Sequence, residues 1–319
     1  MPENIVAALE GLMGGKIFFA ETAWGGYSPS AAFFATLEDG RAVFIKGAHP
    51  NDDSHATQSL RQELAAYRII PGIIDSSPRL YGDVSDAGED GWHLAVFERR
   101  AARTAVPWEQ DKVAAAFSLL GKIHTQKNPG LALAAQKSYV EKFLQPQGGW
   151  LRIAQEKPRA EKFLSLFDDK EEGQRWLDQV LPILCKAQEG AAHIGGAEGI
   201  LHQDLRGDNF LFDAQGKGWL IDWPNACFGP VVLDAVPLIA DMHADDALPL
   251  SQLFGLYTEA TGIILRHEDI AAAIASCSGH LADQAYRAVP AKLPRLRWMQ
   301  KRQLRVLLRM AKTVLNTPF

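Results

Sequence analysis

Cysteine is scarce: three in 319 residues, at positions 185, 227 and 277. The number is odd and the gaps are wide. That leaves no disulfide framework and no zinc spacing, and it fits a reducing compartment. No apolar run approaches the ~18 residues that span a bilayer, and the stretch 231–242 is interrupted by Asp234 and Pro237. The opening residues lack the basic n-region and apolar core of a secretory signal. A basic excess is missing as well: the formal net charge is -5, which disfavours non-specific nucleic-acid binding. Neither repeats nor low-complexity tracts interrupt the chain. The expectation is a cytoplasmic protein, a monomer or weak dimer, with no nucleic-acid or membrane partner.

Hydrophobic residues make up 47% and charged residues 22%, a balance that can bury a sizeable core, and the length suits about two compact units. The first hundred residues read as strands around one helix. Segments 16–22, 31–37 and 41–47 are short and rich in aliphatic and aromatic side chains. The last two flank Glu38-Asp39-Gly40, a hairpin turn signal. In 55–70, Leu60, Leu64, Tyr67 and Ile70 recur at helical spacing, and Pro71-Gly72 stops the run. A further strand covers 92–98.

Beyond Arg103 the pattern turns helical. It begins with 108–127 (Val113, Phe117, Leu120, His124) and continues at 137–145, 158–167, 172–193, 248–260, 267–277 and 280–315. One β-rich stretch, 200–222, lies among these helices. The outline is an α+β chain with a small sheet-rich lobe over 1–100 and a larger helical lobe over 101–319. Near the end, nine Lys or Arg and no acid lie between Arg287 and Lys312. They form either the solvated face of an amphipathic helix or an anion- or substrate-binding surface.

The chemistry concentrates in Leu201-His202-Gln203-Asp204-Leu205-Arg206-Gly207-Asp208-Asn209-Phe210-Leu211-Phe212. A polar loop here leads into an apolar strand. The turn Asp213-Ala214-Gln215-Gly216 then leads to a second strand, 218–223, which carries Asp222. Phosphoryl transfer from a nucleotide needs such a set. One carboxylate orients the attacking hydroxyl and accepts its proton, while an amide oxygen and a second carboxylate hold hard cations on the phosphates. A metal hydrolase built on His202 and Asp204 fits less well, because no second histidine stands nearby at ligand spacing.

His202-x-Asp204 with Asn209 five residues on, then Ile221-Asp222-Trp223, resembles the aminoglycoside phosphotransferase family. That family includes choline, homoserine and other small-molecule kinases and is distantly related to protein kinases. The resemblance implies a bilobed, protein-kinase-like fold. It makes Asp204 the catalytic base, Asn209 and Asp222 ligands of Mg2+, and His202 a brace for the loop. It also implies that Lys46 meets the α and β phosphates of ATP (GTP being the alternative) with Glu63 as its partner. The loop 23–30 would cover the phosphates, with Ser28 and Ser30 the nominees, and the main chain around Val96, Phe97 and Glu98 would read the adenine edge.

The sequence also departs from the family. Many members have glycine where Gln203 stands, and His-Pro-Gly where Arg206-Gly207-Asp208 stands. Arg206 either stabilises charge on the transferred group or forms a salt bridge with Asp208. Downstream, Asp234 is expected to bond the loop backbone, and Cys227 to be a packed residue rather than a nucleophile.

The acceptor is expected to be a small-molecule hydroxyl, most simply an antibiotic of aminoglycoside, peptide or nucleoside type, in self-protection or resistance. A metabolic acceptor resembling choline, homoserine or an amino sugar is the alternative, and a catalytically lapsed nucleotide-binding protein a further one. A protein kinase is disfavoured, because Asp222 stands in Ile-Asp-Trp rather than Asp-Phe-Gly and no Ala-Pro-Glu follows. Asp241, Asp245, Asp246, Glu268, Asp269 and Asp283 are the carboxylates available to a polycation. The basic stretch with Trp298 points instead to a neutral or anionic acceptor.

Overall fold

The computed structural model describes residues 3–23, 31–49, 54–87, 91–128, 141, 143–145, 147–291 and 293–317. By their contacts the residues group into two units, Met1–Arg103 with Leu211–Ala226, and Thr104–Phe210 with Cys227–Phe319.

The first part of the chain runs α1 (Glu3–Met13), β1 (Ile17–Thr22), β2 (Ala31–Leu37), β3 (Ala42–Ala48), α2 (Ser54–Ile69), α3 (Ile73–Ser76), β4 (Leu80–Ala87) and β5 (Trp92–Glu98). The five strands form one antiparallel sheet of order β1-β2-β3-β5-β4. Gly40, at φ +85, makes the β2–β3 turn, and Arg41 N–H donates to Asp39 Oδ1 across it. Three elements go beyond the sequence expectation of strands around one helix: α1, α3 and β4. The first is amphipathic, with Ile5, Leu9 and Met13 buried at intervals of four.

Side-chain alternation gives the sheet two apolar faces. Val43, Ile45, Leu94 and Val96 pack with Ile5, Leu9 and Met13 of α1. Ala48, Ala95 and Phe97 pack with Ala56, Leu60 and Leu64 of α2, and Phe44 joins them. Lys46 lies two residues from both Phe44 and Ala48, so the same alternation turns it toward α2.

The chain continues through β6 (Arg103–Thr104), α4 (Gln110–His124), α5 (Gly149–Gln155), α6 (Lys157–Leu164), α7 (Lys170–Glu189), β7 (Glu198–Leu201), β8 (Phe210–Phe212), β9 (Gly218–Leu220) and β10 (Cys227–Pro230). Helices α8 (Val232–Ala244), α9 (Leu250–Thr261), α10 (His267–Ala285) and α11 (Leu296–Val314) complete it. β7 and β10 pair antiparallel, Leu201 opposite Cys227. The helix expected over 137–145 lies largely outside the described residues. No helix among the described residues is long and apolar enough to cross a membrane.

In the second unit α10 packs against α5, α7, α8 and α11. Its buried face is built largely of small residues, among them Ala272, Ala273, Ala275, Gly279 and Ala282. Here the structure corrects the sequence reading, which broke this region near 278 and ran a helix over 280–315. The helix continues through Gly279 and stops at Ala285, and the next begins at Leu296. Pro290 and Pro294 lie in the gap, where each removes a backbone donor. Gly279 marks a close approach instead: a Cβ there would stand 2.9 Å from Trp150 Cδ1 and 3.0 Å from its backbone nitrogen. Trp150 is itself fixed, donating from Nε1 to Ser278 Oγ at 2.9 Å and from its N–H to Gln188 Oε1 at 2.9 Å. Its indole packs with Phe163 and Trp176.

Gly-to-Ala in a helix interior ordinarily stabilises by ~0.5–1 kcal/mol. Gly279→Ala should do the reverse and destabilise by ~1–3 kcal/mol, because the obstruction includes backbone. Urea denaturation followed by circular dichroism measures the sign.

Candidate active site

Two groups of side chains carry the candidate chemistry, one in each unit. In the first unit, Lys46 Nζ donates to Glu63 Oε2 at 2.7 Å and to Asp222 Oδ1 at 2.6 Å. Glu63 follows Leu60 by three residues on α2, which places it on the helix face that meets the sheet, and it is only 3% exposed. Burial alone would lower the Lys46 pKa. The carboxylates of Asp222 and Glu63 outweigh it and hold the ammonium above the usual lysine range. Burial pushes the Glu63 carboxyl up, against the pull of Lys46 and of the Trp223 N–H.

Asp222 comes to Lys46 by a bend in the backbone. β9 ends at Leu220, short of the strand expected to 223, and Asp222 stands at φ +70, in the left-handed region. Such a residue costs of order 1–3 kcal/mol unless its surroundings hold it. Here they do: the next N–H, of Trp223, donates to Glu63 Oε1 at 3.3 Å, and the Trp223 indole donates to Ser77 Oγ at 2.9 Å. Upstream, the turn is closed by Asp213, whose Oδ1 accepts from Gln215 N–H at 3.0 Å and Lys217 N–H at 2.9 Å.

In the second unit, the loop after β7 is held from behind by Asp234 of α8. Asp234 Oδ2 accepts the His202 N–H at 2.6 Å, and Oδ1 accepts the Gln203 N–H at 2.8 Å. This is the backbone bonding expected of Asp234. The same carboxylate meets His124 Nε2 at 3.5 Å, and His124 Nδ1 meets Tyr257 Oη at 2.9 Å. His202 is fully buried. Asn209 Nδ2 donates to the Asp204 carbonyl at 2.7 Å and to Asp204 Oδ2 at 3.2 Å, which leaves the amide oxygen as the acceptor end of the side chain.

Arg206 engages both neighbouring acids. Its Nε donates to Asp208 Oδ1 at 2.9 Å and Nη2 to Asp208 Oδ2 at 3.1 Å, while Nη1 donates to Asp204 Oδ1. The salt bridge with Asp208 is therefore present, and Arg206 is buried rather than at the surface.

Other expectations meet the structure differently. Ser28 and Ser30 lie outside the described residues. Val96 and Phe97 lie inside β5, which is paired on one side with β3 and on the other with β4. The Glu98 N–H donates to the Arg79 carbonyl at 2.8 Å. Glu98 is the last residue of β5, and in the connector after it the Arg99 N–H donates to the Ala42 carbonyl at 3.4 Å. There Arg99 stacks on Phe34 at 4.3 Å and Arg100 on Trp219 at 4.6 Å. The carboxylates considered for a polycation are each matched by arginine: Asp241 and Asp245 by Arg302, Asp246 by Arg309, Glu268 and Asp269 by Arg266, and Asp283 by Arg159 and Arg287. Part of the basic stretch thus neutralises acids within the protein. Trp298, by contrast, is 62% exposed. Cys227 is buried, and burial pushes its thiol far up, as suits a packed residue.

Gln203 stands at φ +60, in the conformation glycine adopts freely, and its Nε2 donates to Asp234 Oδ1 at 3.1 Å. Glycine would remove the strain of ~1–2 kcal/mol but lose this bond, whereas alanine would lose the bond and keep the strain. Gln203→Gly should therefore be more stable than Gln203→Ala by about 1 kcal/mol. Paired denaturation curves test the order.

A model of the phosphotransferase enzyme family matches residues 20–263. No curated protein matches the chain in sequence. Solved structures do match it in fold. A spectinomycin phosphotransferase, solved with ADP and spectinomycin, is 13% identical over 98% of each chain, with a TM-score of 0.65. A choline kinase from Streptococcus pneumoniae is 15% identical over 96% of this chain and 98% of its own, with a TM-score of 0.56. An amicoumacin kinase, solved with AMP-PNP and Ca2+, is 13% identical over 95% and 93%, with a TM-score of 0.51. At such identities the likeness shows the fold, the protein-kinase-like pairing of an N-terminal antiparallel sheet with a helical C-terminal part. The family match runs from β1 through the loop and Asp222 to the end of α9, and on it the chain belongs to the phosphotransferase enzyme family.

Proposed function

We propose that the protein is an ATP- and Mg2+-dependent kinase that phosphorylates a hydroxyl of a small molecule. The observation that carries this reading is the half-buried Lys46 ammonium between Glu63 and Asp222, in a chain whose loop fixes Asp204 beside Asn209. An ammonium kept charged in this way suits the α and β phosphates of a nucleotide, with GTP an alternative to ATP. Val96, Phe97, Glu98 and the connector after them are the proposed base-reading edge, and Ser28 and Ser30 the proposed phosphate-covering hydroxyls.

Asp204 accepts the proton of the acceptor hydroxyl. The acceptor oxygen bonds to the γ-phosphorus as the bond from that phosphorus to the β–γ bridging oxygen breaks, and ADP leaves. Arg206, which already spans Asp204 and Asp208, offers its guanidinium to charge on the transferred group. His202 and Asp234 keep the loop in place. The amide oxygen of Asn209 and the carboxylate of Asp222 are hard donors of the kind magnesium takes, usually one or two from protein with phosphates and water completing the shell. When bound, the ion would neutralise phosphate charge.

For the acceptor, the arginine partners of Asp241, Asp245, Asp246, Glu268, Asp269 and Asp283 favour a neutral or singly charged molecule over a polycation. An antibiotic comes first, because the fold likeness extends to kinases of spectinomycin and amicoumacin. A choline-like metabolic acceptor is the second reading, supported by the likeness to a choline kinase.

Purified protein with ATP and Mg2+ should release ADP faster with one member of a panel holding spectinomycin, amicoumacin, aminoglycosides, peptide and nucleoside antibiotics, choline, homoserine and amino sugars. Asp204→Asn should slow that turnover by ~10²–10⁴-fold; equal rates would remove Asp204 from the role of base. Asp222→Ala should abolish the rise in melting temperature that Mg-ATP gives the wild type. An undiminished rise would contradict the metal-ligand assignment.

A further inference from the structure

Helix α8 carries a second buried carboxylate seven residues after Asp234. Seven residues are two turns, so Asp234 and Asp241 share a helix face about 10 Å apart. Both face the same loop. Asp234 holds its beginning, at His202 and Gln203, and Asp241 holds its far end, where Oδ2 accepts the Gly207 N–H at 2.9 Å. Asp204 and Arg206 lie between the two anchor points.

Asp241 is 4% exposed, and three donors meet it. Besides Gly207, Oδ2 accepts the Trp108 indole N–H at 2.9 Å, and Oδ1 accepts from Arg302 of α11 at 2.7 Å. The Trp108 backbone N–H is fixed in turn by Asp245 Oδ2 at 2.9 Å. That indole fills the space a side chain at position 207 would need: a Cβ on Gly207 would stand 3.0 Å from Trp108 Nε1 and 3.0 Å from Val106 Cγ2. Phe210 meets the same ring edge-on at 5.2 Å. The Ala105 N–H bonds the carbonyls of Gly207 and Phe210 at 3.0 and 3.1 Å. The back of the loop is thus locked onto a platform whose central charge is Asp241.

We propose that Asp241 is a positioning residue for phosphoryl transfer, setting the place of Arg206 and Asp204 through Gly207, and that Arg302 holds Asp241 in the state that does so. This rests on the kinase reading above for its effect on turnover, but the hold on the loop stands apart from that reading. A neutral amide at 241 still fits the space. It cannot present acceptors to Gly207, Trp108 and Arg302 together, because one of its two ends is a donor. Misplacing a reacting group by an ångström costs on the order of a hundredfold in rate.

The test has two readouts, on Asp241→Asn, Arg302→Met and Arg302→Lys. The first is hydrogen exchange at the Gly207 amide. It should quicken at least about tenfold in Asp241→Asn and Arg302→Met, while amides of α10 keep wild-type rates. The second is turnover with the best acceptor of the panel. In the same two variants kcat should fall about 10–100-fold with KM for ATP within about twofold. Arg302→Lys, which keeps the charge, should recover most of both. Unchanged Gly207 exchange in Asp241→Asn would overturn the proposal, as would a loss of kcat/KM carried by KM for ATP alone. Should Asp241→Asn fail to fold, the two Arg302 variants decide it, since Arg302 lies partly at the surface. Wild-type protein inert toward every acceptor would overturn the kinase reading, and Gly207 exchange would still judge the hold of Asp241 on the loop.

Discussion

An ammonium group largely withdrawn from water requires anionic partners, and Lys46 has two. Desolvating a lone charge costs several kcal/mol even after relaxation. The cluster therefore exists only if β3, α2 and the segment after β9 arrive together: Lys46 from the first, Glu63 from the second and Asp222 from the third. That requirement explains why residues 211–226, remote in sequence, group with the N-terminal sheet. It also accounts for the left-handed backbone at Asp222, which the Trp223 bonds to Glu63 and Ser77 hold in place.

The loop around Asp204 follows a different principle. Its main-chain donors are bound by buried carboxylates from a helix rather than by strand pairing. A charged acceptor makes a stronger bond to an N–H than a carbonyl does, and a helix offers carboxylates at fixed spacing. Two features of the loop depend on this support. Gln203 keeps a backbone conformation unusual for its type, and Arg206 is buried between two acids of the same loop.

Much of this was legible in the sequence. The strand that carries Lys46 and the helix of Leu60 and Leu64 were both read from the spacing of apolar residues, and the structure packs one on the other. The order of Lys46, Glu63, Asp204, Asn209 and Asp222 pointed to phosphoryl transfer. α1 escaped that reading, although Ile5, Leu9 and Met13 stand at helical spacing. Other features were not legible. The positive φ at Gln203 falls on a residue type that does not advertise it, as glycine, asparagine or aspartate would, and at Asp222 the sequence reading ran a strand straight through. Gly279 reads as a helix breaker until Trp150 is known to lie against it. The role of Asp241 depends on a contact with Gly207 across 34 residues and another with Arg302 across 61. Periodicity shows that such an acid lies on a mostly buried helix, but not which N–H it meets.

The exposed indole of Trp298 gives α11 a signal of its own. Trp108, Trp150, Trp219 and Trp223 are all buried, and their emission is shielded from dissolved quenchers. Trp298 is open to solvent and lies one helical turn before Arg302, on the same face. Trp92 and Trp176 are half-buried, so among the described tryptophans Trp298 is the ring most open to a quencher such as iodide, itself drawn toward neighbouring arginines. Fluorescence of the unlabelled protein thus has a solvent-accessible component that reports on the helix whose arginine holds Asp241.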